Sequence, residues 1–431
     1  MEINDLYKLY IKNPSVETDS RKIKKGDIFF SLKGPSFNGN HYAQQAIDDG
    51  ASYCIVDEET GIKNDQVIQV SDCLDTLQQL AKKHRQQFNI PFIAITGSNG
   101  KTTTKELIHA VLSTSFKTYT TAGNLNNHIG IPLTILKVKA DAEIAVIEMG
   151  ANHQKEIEGY CEYTLPTHGM ITNCGKAHLE GFGGEGGVRK GKGELFDYLK
   201  NNNGVAFIFN DYDYLIEMSK GIPTVISYGT IDADIVGCEK KQSADEFLQV
   251  EIIKGANIPE IKTQLVGGYN LPNILAAVCI GKTFQVDDEK IKNALEGYSS
   301  SNSRSQLVEK DGNKIILDAY NANPSSMKAA IENFAHMPGN KKVLMLGGMM
   351  ELGNESIYEH ESLVNLISKH QWHKVVLVGN DYKDLPEGFI RFNNAGEAKA
   401  WYKKEQLMDA QVLIKGSRSM QMEKVLEMDD V

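Results

Sequence analysis

The stretch Phe92-Ile-Ala-Ile-Thr-Gly-Ser-Asn-Gly-Lys-Thr-Thr-Thr-Lys105 decides the fold. Phe92 to Thr96 is an apolar run with the length of a buried strand. Beyond the turn, Leu107, Ile108, Val111 and Leu112 share one helical face. Glycine permits the tight turn between them, so the backbone N–H groups of Gly97, Ser98, Asn99, Gly100 and Lys101 can converge on an anion at the helix N-terminus. That is a phosphate cradle. Lys101 reaches the outer phosphates in such a loop, and the hydroxyl of Thr102 holds Mg²⁺. Ile95 stands where the general pattern has its first glycine, so the loop is the short form Thr-Gly-x-x-Gly-Lys-Thr. Glycine turns also join strands to helices without binding anything. Strand, turn, Lys-Thr and helix in the required order favour phosphate.

A chain of 431 residues suggests roughly two to four domains and can bury sizeable cores. Its net charge of −10 provides no basic field for nucleic acid or an anionic membrane, so anionic ligands need local sites. Cys54, Cys73, Cys161, Cys174, Cys238 and Cys279 show neither metal nor disulfide spacing, as in a reducing compartment. No signal sequence opens the chain and no run of about 18 apolar residues occurs, so a cytoplasmic protein is expected.

Working outward, residues 1–88 read as a small α/β unit. Strands are expected at 28–32, 51–56 and 67–70, with helices at 40–49 and from Ser71-Asp72 through Phe88. Its polar insertions, Asp19-Ser20-Arg21 and Lys33 to His41, are by themselves solvated turns. Residues 89–303 form the unit built on the phosphate loop. Thr121 to Pro132 is rich in glycine and amides, which can bind a polar ligand without adding charge. The strand Ile144 to Glu148 ends in a carboxylate, either a cap or an Mg²⁺ ligand near the phosphates. The strand Met170 to Asn173 leads into Gly175 to Gly187, expected to be a ligand-facing loop, with His178 inside it as a structural or a ligating histidine. Arg189 to Phe196 begins a helix with a basic cluster. Residues 205–265 read as short scaffold strands. Asn270 and Asn273 share one side of a first helical turn, as caps or as base-recognising amides.

Residues 304–431 alternate strands (314–318, 343–346, 375–378, 412–415) with helices near 324–336, 356–370, 395–404 and 420–428. That alternation favours a Rossmann-like parallel sheet covered on both faces. It lacks the glycine fingerprint of a dinucleotide site. The fold class is therefore α/β in three domains: a small N-terminal domain, a central P-loop ATPase domain with a mostly parallel sheet, and a Rossmann-like C-terminal domain.

Thr96 to Thr102, Asn124 to Leu133, Glu148 to His153, Ala177 to Gly183, Asp318-Ala-Tyr-Asn-Ala-Asn-Pro324 and Lys415-Gly-Ser-Arg418 together resemble the Mur ligases, over nearly the whole chain and in order. The last two motifs favour the dipeptide-adding branch. The resemblance implies an ATP-dependent amide ligase of peptidoglycan synthesis, using two Mg²⁺ ions. Its implied small-molecule substrates are UDP-N-acetylmuramoyl-tripeptide and D-alanyl-D-alanine, and a monomer without nucleic-acid or membrane partners is expected. It assigns Ser20, Arg21 and the Asn38–His41 loop to the UDP-sugar, and Asn126 and Asn127 to substrate. Gly97 to Thr103 fall to the phosphates, Asn270 and Asn273 to adenine, and Arg304 and Asp318 to the nucleotide. Thr102, Glu148, His178 and a carbamylated Lys192, with Lys190 as runner-up, fall to metal. Lys101 completes the catalytic set. Asn321, Asn323, Lys415, Ser417 and Arg418 fall to the dipeptide. Gly347-Gly348-Met349 replaces the usual Gly-Asp-Met, and Ser301 to Ser305 departs from the usual Gly-Arg. The rivals are a related ligase adding one amino acid or extending a folate, and a P-loop kinase or NTPase.

Overall fold

The computed structural model describes residues 1–240, 247–300 and 303–427, and three large sheets follow one another along them, with a small two-stranded pair, Lys33–Gly34 and Phe37–Asn38, within the first in sequence. The first has four parallel strands, Val16–Glu17, Ile28–Phe30, Tyr53–Val56 and Val67–Gln69, side by side in chain order. The helix Cys73–Arg85 follows, and the side chain of Asp72 accepts from Asp75 N–H at its start. A helix unforeseen in the sequence, Ile3–Lys12, opens the chain and buries Leu6 and Tyr10 beside it.

The central sheet has nine strands in the order 261–266, 247–254, 235–239, 224–229, 205–209, 168–171, 92–96, 144–148, 118–120. The first two joins are antiparallel and the rest parallel. Phe92–Thr96, buried throughout, lies between His168–Ile171 and Ile144–Glu148. The phosphate loop therefore emerges at the carboxyl edge with Thr172 on one side and Glu148 on the other, the edge where α/β sheets bind ligands. Behind it the helix Lys101–Leu112 packs on the apolar helix Leu271–Thr283. A short helix, Asp213–Met218, interrupts the strands expected over 205–265.

The glycine-rich segment 175–187 is not one open loop. Leu179–Phe182 is a helical turn, and the helix Glu185–Asn201 begins among the glycines. Close packing is the reason. A Cβ on Gly187 would lie 1.8 Å from the Phe182 carbonyl oxygen, and one on Gly191 2.5 Å from the Phe182 ring.

The third sheet has six strands, ordered 306–310, 313–318, 411–415, 342–347, 374–378, 389–392. It is parallel except for the edge hairpin 306–318, which turns at Asp311 and Gly312 with φ of 51° and 73°. Asp-Gly with two positive φ angles makes the hairpin turn that matches strand twist. The helix expected over 420–428 is instead two 3₁₀ turns, Arg418–Met420 and Met422–Leu426. Gln421, at φ 50°, breaks them apart, and Met422 and Val425 are buried at the three-residue spacing that a 3₁₀ turn stacks. Residue 428 lies outside the described residues, as do Ser301 and Asn302 of the arginine segment.

Candidate active site

Gly97 and Gly100 give the phosphate loop its shape. Their φ angles are 140° and 80°, and a Cβ would meet Thr172 Oγ1 at 2.0 Å on the first and Asn273 Oδ1 at 2.8 Å on the second. Thr172 Oγ1 donates to the Asn99 carbonyl at 2.6 Å, and Asn173 Nδ2 to the same oxygen at 3.1 Å. Ser98 Oγ donates to the Gly175 carbonyl at 2.7 Å. The loop is thus braced from the neighbouring strand end before any anion arrives. Lys101 folds its ammonium back onto the carbonyls of Gly97 and Ser98. Burial lowers its pKa, the charge of Glu148 opposes that shift, and the charge of Arg304 adds to it.

Thr102 Oγ1 donates to Glu148 Oε1 at 3.1 Å, and Asn126 Nδ2 to the same oxygen at 2.8 Å. Glu148 is 1% exposed, and its Oε2 is buried without a hydrogen-bond donor. A hydroxyl and a carboxylate with an unfilled oxygen, beside a phosphate loop, fit Mg²⁺. Among the described residues no cluster of three His, Cys, Asp or Glu is assembled for a metal. An ion here would complete its shell from phosphates and water, as Mg²⁺ does with nucleotides.

His178 sits at φ 51° and directs Nδ1 to Glu351 Oε2 of the C-terminal unit, not toward Glu148. A histidine so held keeps its other ring nitrogen for a ligand. Lys192 is 1% exposed, with its ammonium 3.0 Å from the Ala151 carbonyl and 4.8 Å over the Phe182 ring. Burial, reinforced by the charge of Lys101, pushes its pKa well down. Lys190 points to solvent.

Asn273 Nδ2 donates to Asn270 Oδ1 at 2.9 Å, Asn270 Nδ2 to the Val266 carbonyl at 2.9 Å, and Thr104 Oγ1 to Asn273 Oδ1 at 3.0 Å. Asn273 thus braces the phosphate-loop helix at the cavity wall, and Asn270 holds Asn273 in place. Asn127 Oδ1 accepts from Ile129 and Gly130 N–H at the start of the helix Gly130–Leu136.

The C-terminal unit closes over this edge. Asp318 accepts from Ser305 N–H at 3.1 Å and from Lys415 Nζ at 2.6 Å, while Lys415 also donates to the Asn321 carbonyl. Arg304 lays its guanidinium 3.5 Å from the Tyr320 ring, and its buried Nε has no acceptor. Arg418 stands 5.7 Å from that ring and pairs with Glu423. Ser417 is buried, with Oγ 3.3 Å from Ser419 Oγ. Asn323 caps the helix Pro324–His336 and donates to Asn99. Lys176, next to the phosphate-loop edge, binds Glu359 at 2.7 Å.

A cavity of about 790 Å³ gathers Ser98 to Thr103, Asn126, Asn127, Glu148, His178, Asn270, Asn273, Arg304, Asp318, Asn321, Asn323 and Lys415. Ser20, Arg21, Asn38 and His41 lie apart from it. Arg21 forks onto Asp19 with two bonds of 2.8 Å, Ser20 heads that 3₁₀ turn, Asn38 caps the next turn and donates to Glu58 at 2.8 Å, and His41 is exposed. Sequence reading missed Thr172, Tyr320 and Glu351. All three follow strand ends, and the carboxyl-edge rule that singled out Glu148 would have reached them too.

Three Mur ligase family models match in order: the "Mur ligase family, catalytic domain" over residues 14–85, the "Mur ligase middle domain" over 95–281, and the "Mur ligase, glutamate ligase domain" over 303–418. The UDP-N-acetylmuramoyl-tripeptide--D-alanyl-D-alanine ligase of Bacillus subtilis (strain 168) is 34% identical over 428 residues, covering 96% of this chain and 92% of that protein. The enzyme of that name from Escherichia coli (strain K12) is 33% identical over 422 residues, with the same coverage. Among solved structures, MurF from Acinetobacter baumannii superposes with a TM-score of 0.87 at 30% identity, covering 96% of this chain and 92% of that one. MurF ligase from Thermotoga maritima in complex with ADP also gives 0.87, at 27% identity, with 96% and 97% covered. Motifs, domain order and relatives agree from end to end, and the chain belongs to the Mur ligase family.

Proposed function

We propose that this chain joins D-alanyl-D-alanine to UDP-N-acetylmuramoyl-tripeptide, turning ATP into ADP and phosphate, in the making of the peptidoglycan precursor. The observation that carries the reading is the single cavity shared by the phosphate loop and the strand-end loops of the C-terminal unit. A ligase needs that juxtaposition, because the activated acyl group and the amine must meet away from water. The relatives' names supply the substrates.

A carboxylate cannot expel oxide, so it needs a better leaving group. The terminal carboxylate of the tripeptide attacks the γ-phosphorus of ATP and the bond to ADP breaks, leaving an acyl phosphate. The amine of the dipeptide then attacks the acyl carbon, phosphate departs, and the nitrogen loses a proton. The protein's task is to bring anions together and offset their repulsion. Lys101 swings from its loop carbonyls to the outer phosphates. Thr102, Glu148 and His178 would hold Mg²⁺, whose charge would screen the phosphates. Lys192 is a buried amine whose pKa burial pushes down, toward the uncharged form that reacts with CO₂, and its carbamate would supply the carboxylate for a second ion. Asn270 and Asn273 wall the nucleotide, and Arg304 and Asp318 reach it from the C-terminal side. Arg418 is suited to the dipeptide carboxylate, since guanidinium matches it bidentately, with Asn321, Lys415 and Ser417 around it. The N-terminal unit, with Ser20, Arg21, Asn38 and His41, takes the UDP-sugar.

Oxygen tracing tests the order of steps. With ¹⁸O in the terminal carboxylate of the tripeptide, one labelled oxygen appears in the released phosphate. Phosphate free of label would exclude an acyl phosphate.

A further inference from the structure

The ammonium of Lys105 has no part in the scheme above. It lies one turn into the helix behind the phosphate loop, 2% exposed, and donates to the Thr121 carbonyl at 2.8 Å. The carboxylates it faces are Glu148, with Oε2 at 3.9 Å, and Glu106, with Oε1 at 3.8 Å. Glu106 is itself held by the Tyr298 hydroxyl. Thr121 closes a ring, because its Oγ1 accepts from Glu148 N–H at 2.9 Å while its carbonyl takes the lysine. Glu148 is thus gripped from two sides. Thr102 and Asn126 fill Oε1, and Oε2, which has no hydrogen-bond donor, faces Lys105.

An ammonium withdrawn from water needs carboxylates to face, and removing it leaves the carboxylate behind unbalanced. Glu148 is also the group that reaches the cavity. We propose that Lys105 is a positioning residue for this reaction: by its charge and through Thr121 it fixes the Glu148 carboxylate in the orientation that receives the divalent cation with the nucleotide phosphates. The inference rests on the reading of Glu148 as a metal ligand. Partners that orient a metal ligand change metal affinity by about 10–100-fold when removed.

The test is a binding titration, so it does not depend on turnover. A fluorescent ADP analogue is bound to wild type, Lys105→Met, Glu148→Gln and the double variant, and the Mg²⁺ concentration giving half of the Mg²⁺-dependent signal is measured for each. Thermal unfolding of the four proteins runs in parallel. Lys105→Met is expected to raise that concentration about tenfold or more, to leave nucleotide binding without Mg²⁺ unchanged, and to add nothing once Glu148 is glutamine. A general loss of structure would add in both backgrounds. The inference is overturned if Glu148→Gln raises the Mg²⁺ requirement but Lys105→Met does not, or if Lys105→Met has the same effect in both backgrounds. If Glu148→Gln leaves the requirement unchanged, the assignment of Glu148 as a ligand falls, and the role of Lys105 with it. Should Lys105→Met not fold, Lys105→Gln keeps a donor for the Thr121 carbonyl without the charge and gives the same comparison.

Discussion

Asn323 of the C-terminal unit donates from Nδ2 to Oδ1 of Asn99 in the phosphate loop, at 2.8 Å. Its Oδ1 is already taken by Ser326 N–H, as the cap of the helix Pro324–His336. The side chain is therefore a clasp between the two halves of the cavity. Serine still caps a helix but is too short to cross to Asn99. We expect Asn323→Ser to keep its melting temperature and to lose about five- to tenfold in kcat, the worth of roughly 1 kcal/mol for one hydrogen bond. Steady-state kinetics beside a thermal melt checks both halves.

Lys192 and Lys190 stand two residues apart on one helix, one buried and the other in solvent. Lys192→Ala should lower kcat about a hundredfold or more, because the carboxylate its carbamate would supply acts in a closed site. Lys190→Ala should change little. Circular dichroism separates lost chemistry from lost fold. Near wild-type turnover in Lys192→Ala would remove that residue from the mechanism.

The pH dependence of stability has a definite source in His168, which stacks on Phe207 and lies tilted against Phe284. Burial lowers its pKa from 6.5 to about 4. Between those values the unfolded chain holds the proton and the folded chain does not, so stability rises with pH across the window. Above about 6.5 there is no cost, and on acidification toward 4 the cost grows. From pH 7 to pH 5 it amounts to about 2 kcal/mol. His168→Phe should flatten this part of the melting-temperature profile, and an unchanged acid slope would exclude His168 as its origin.

What the sequence disclosed follows from periodicity and strand ends. Phe92–Thr96 and Lys101–Leu112 have in the structure the limits read from their apolar spacing. Glu148 was found because it ends a strand beside the loop. What escaped depends on contacts between distant segments. Nothing local says that Gly187 makes room for the Phe182 carbonyl, so the run 175–187 looked like a loop when part of it is helical. Nothing local says that His178 meets Glu351, 173 residues away. The missed helix Ile3–Lys12 is a different case, since Leu6 and Tyr10 already sit at helical spacing. The Asp311-Gly312 hairpin was equally legible.

The most direct test of the account is phosphate release with ATP and Mg²⁺, supplying UDP-N-acetylmuramoyl-tripeptide with and without D-alanyl-D-alanine, with the product weighed by mass spectrometry. The account predicts sustained release only with both substrates and a product of UDP-N-acetylmuramoyl-pentapeptide mass. Release that ignores the dipeptide, or that needs a single amino acid or a folate in its place, would contradict it.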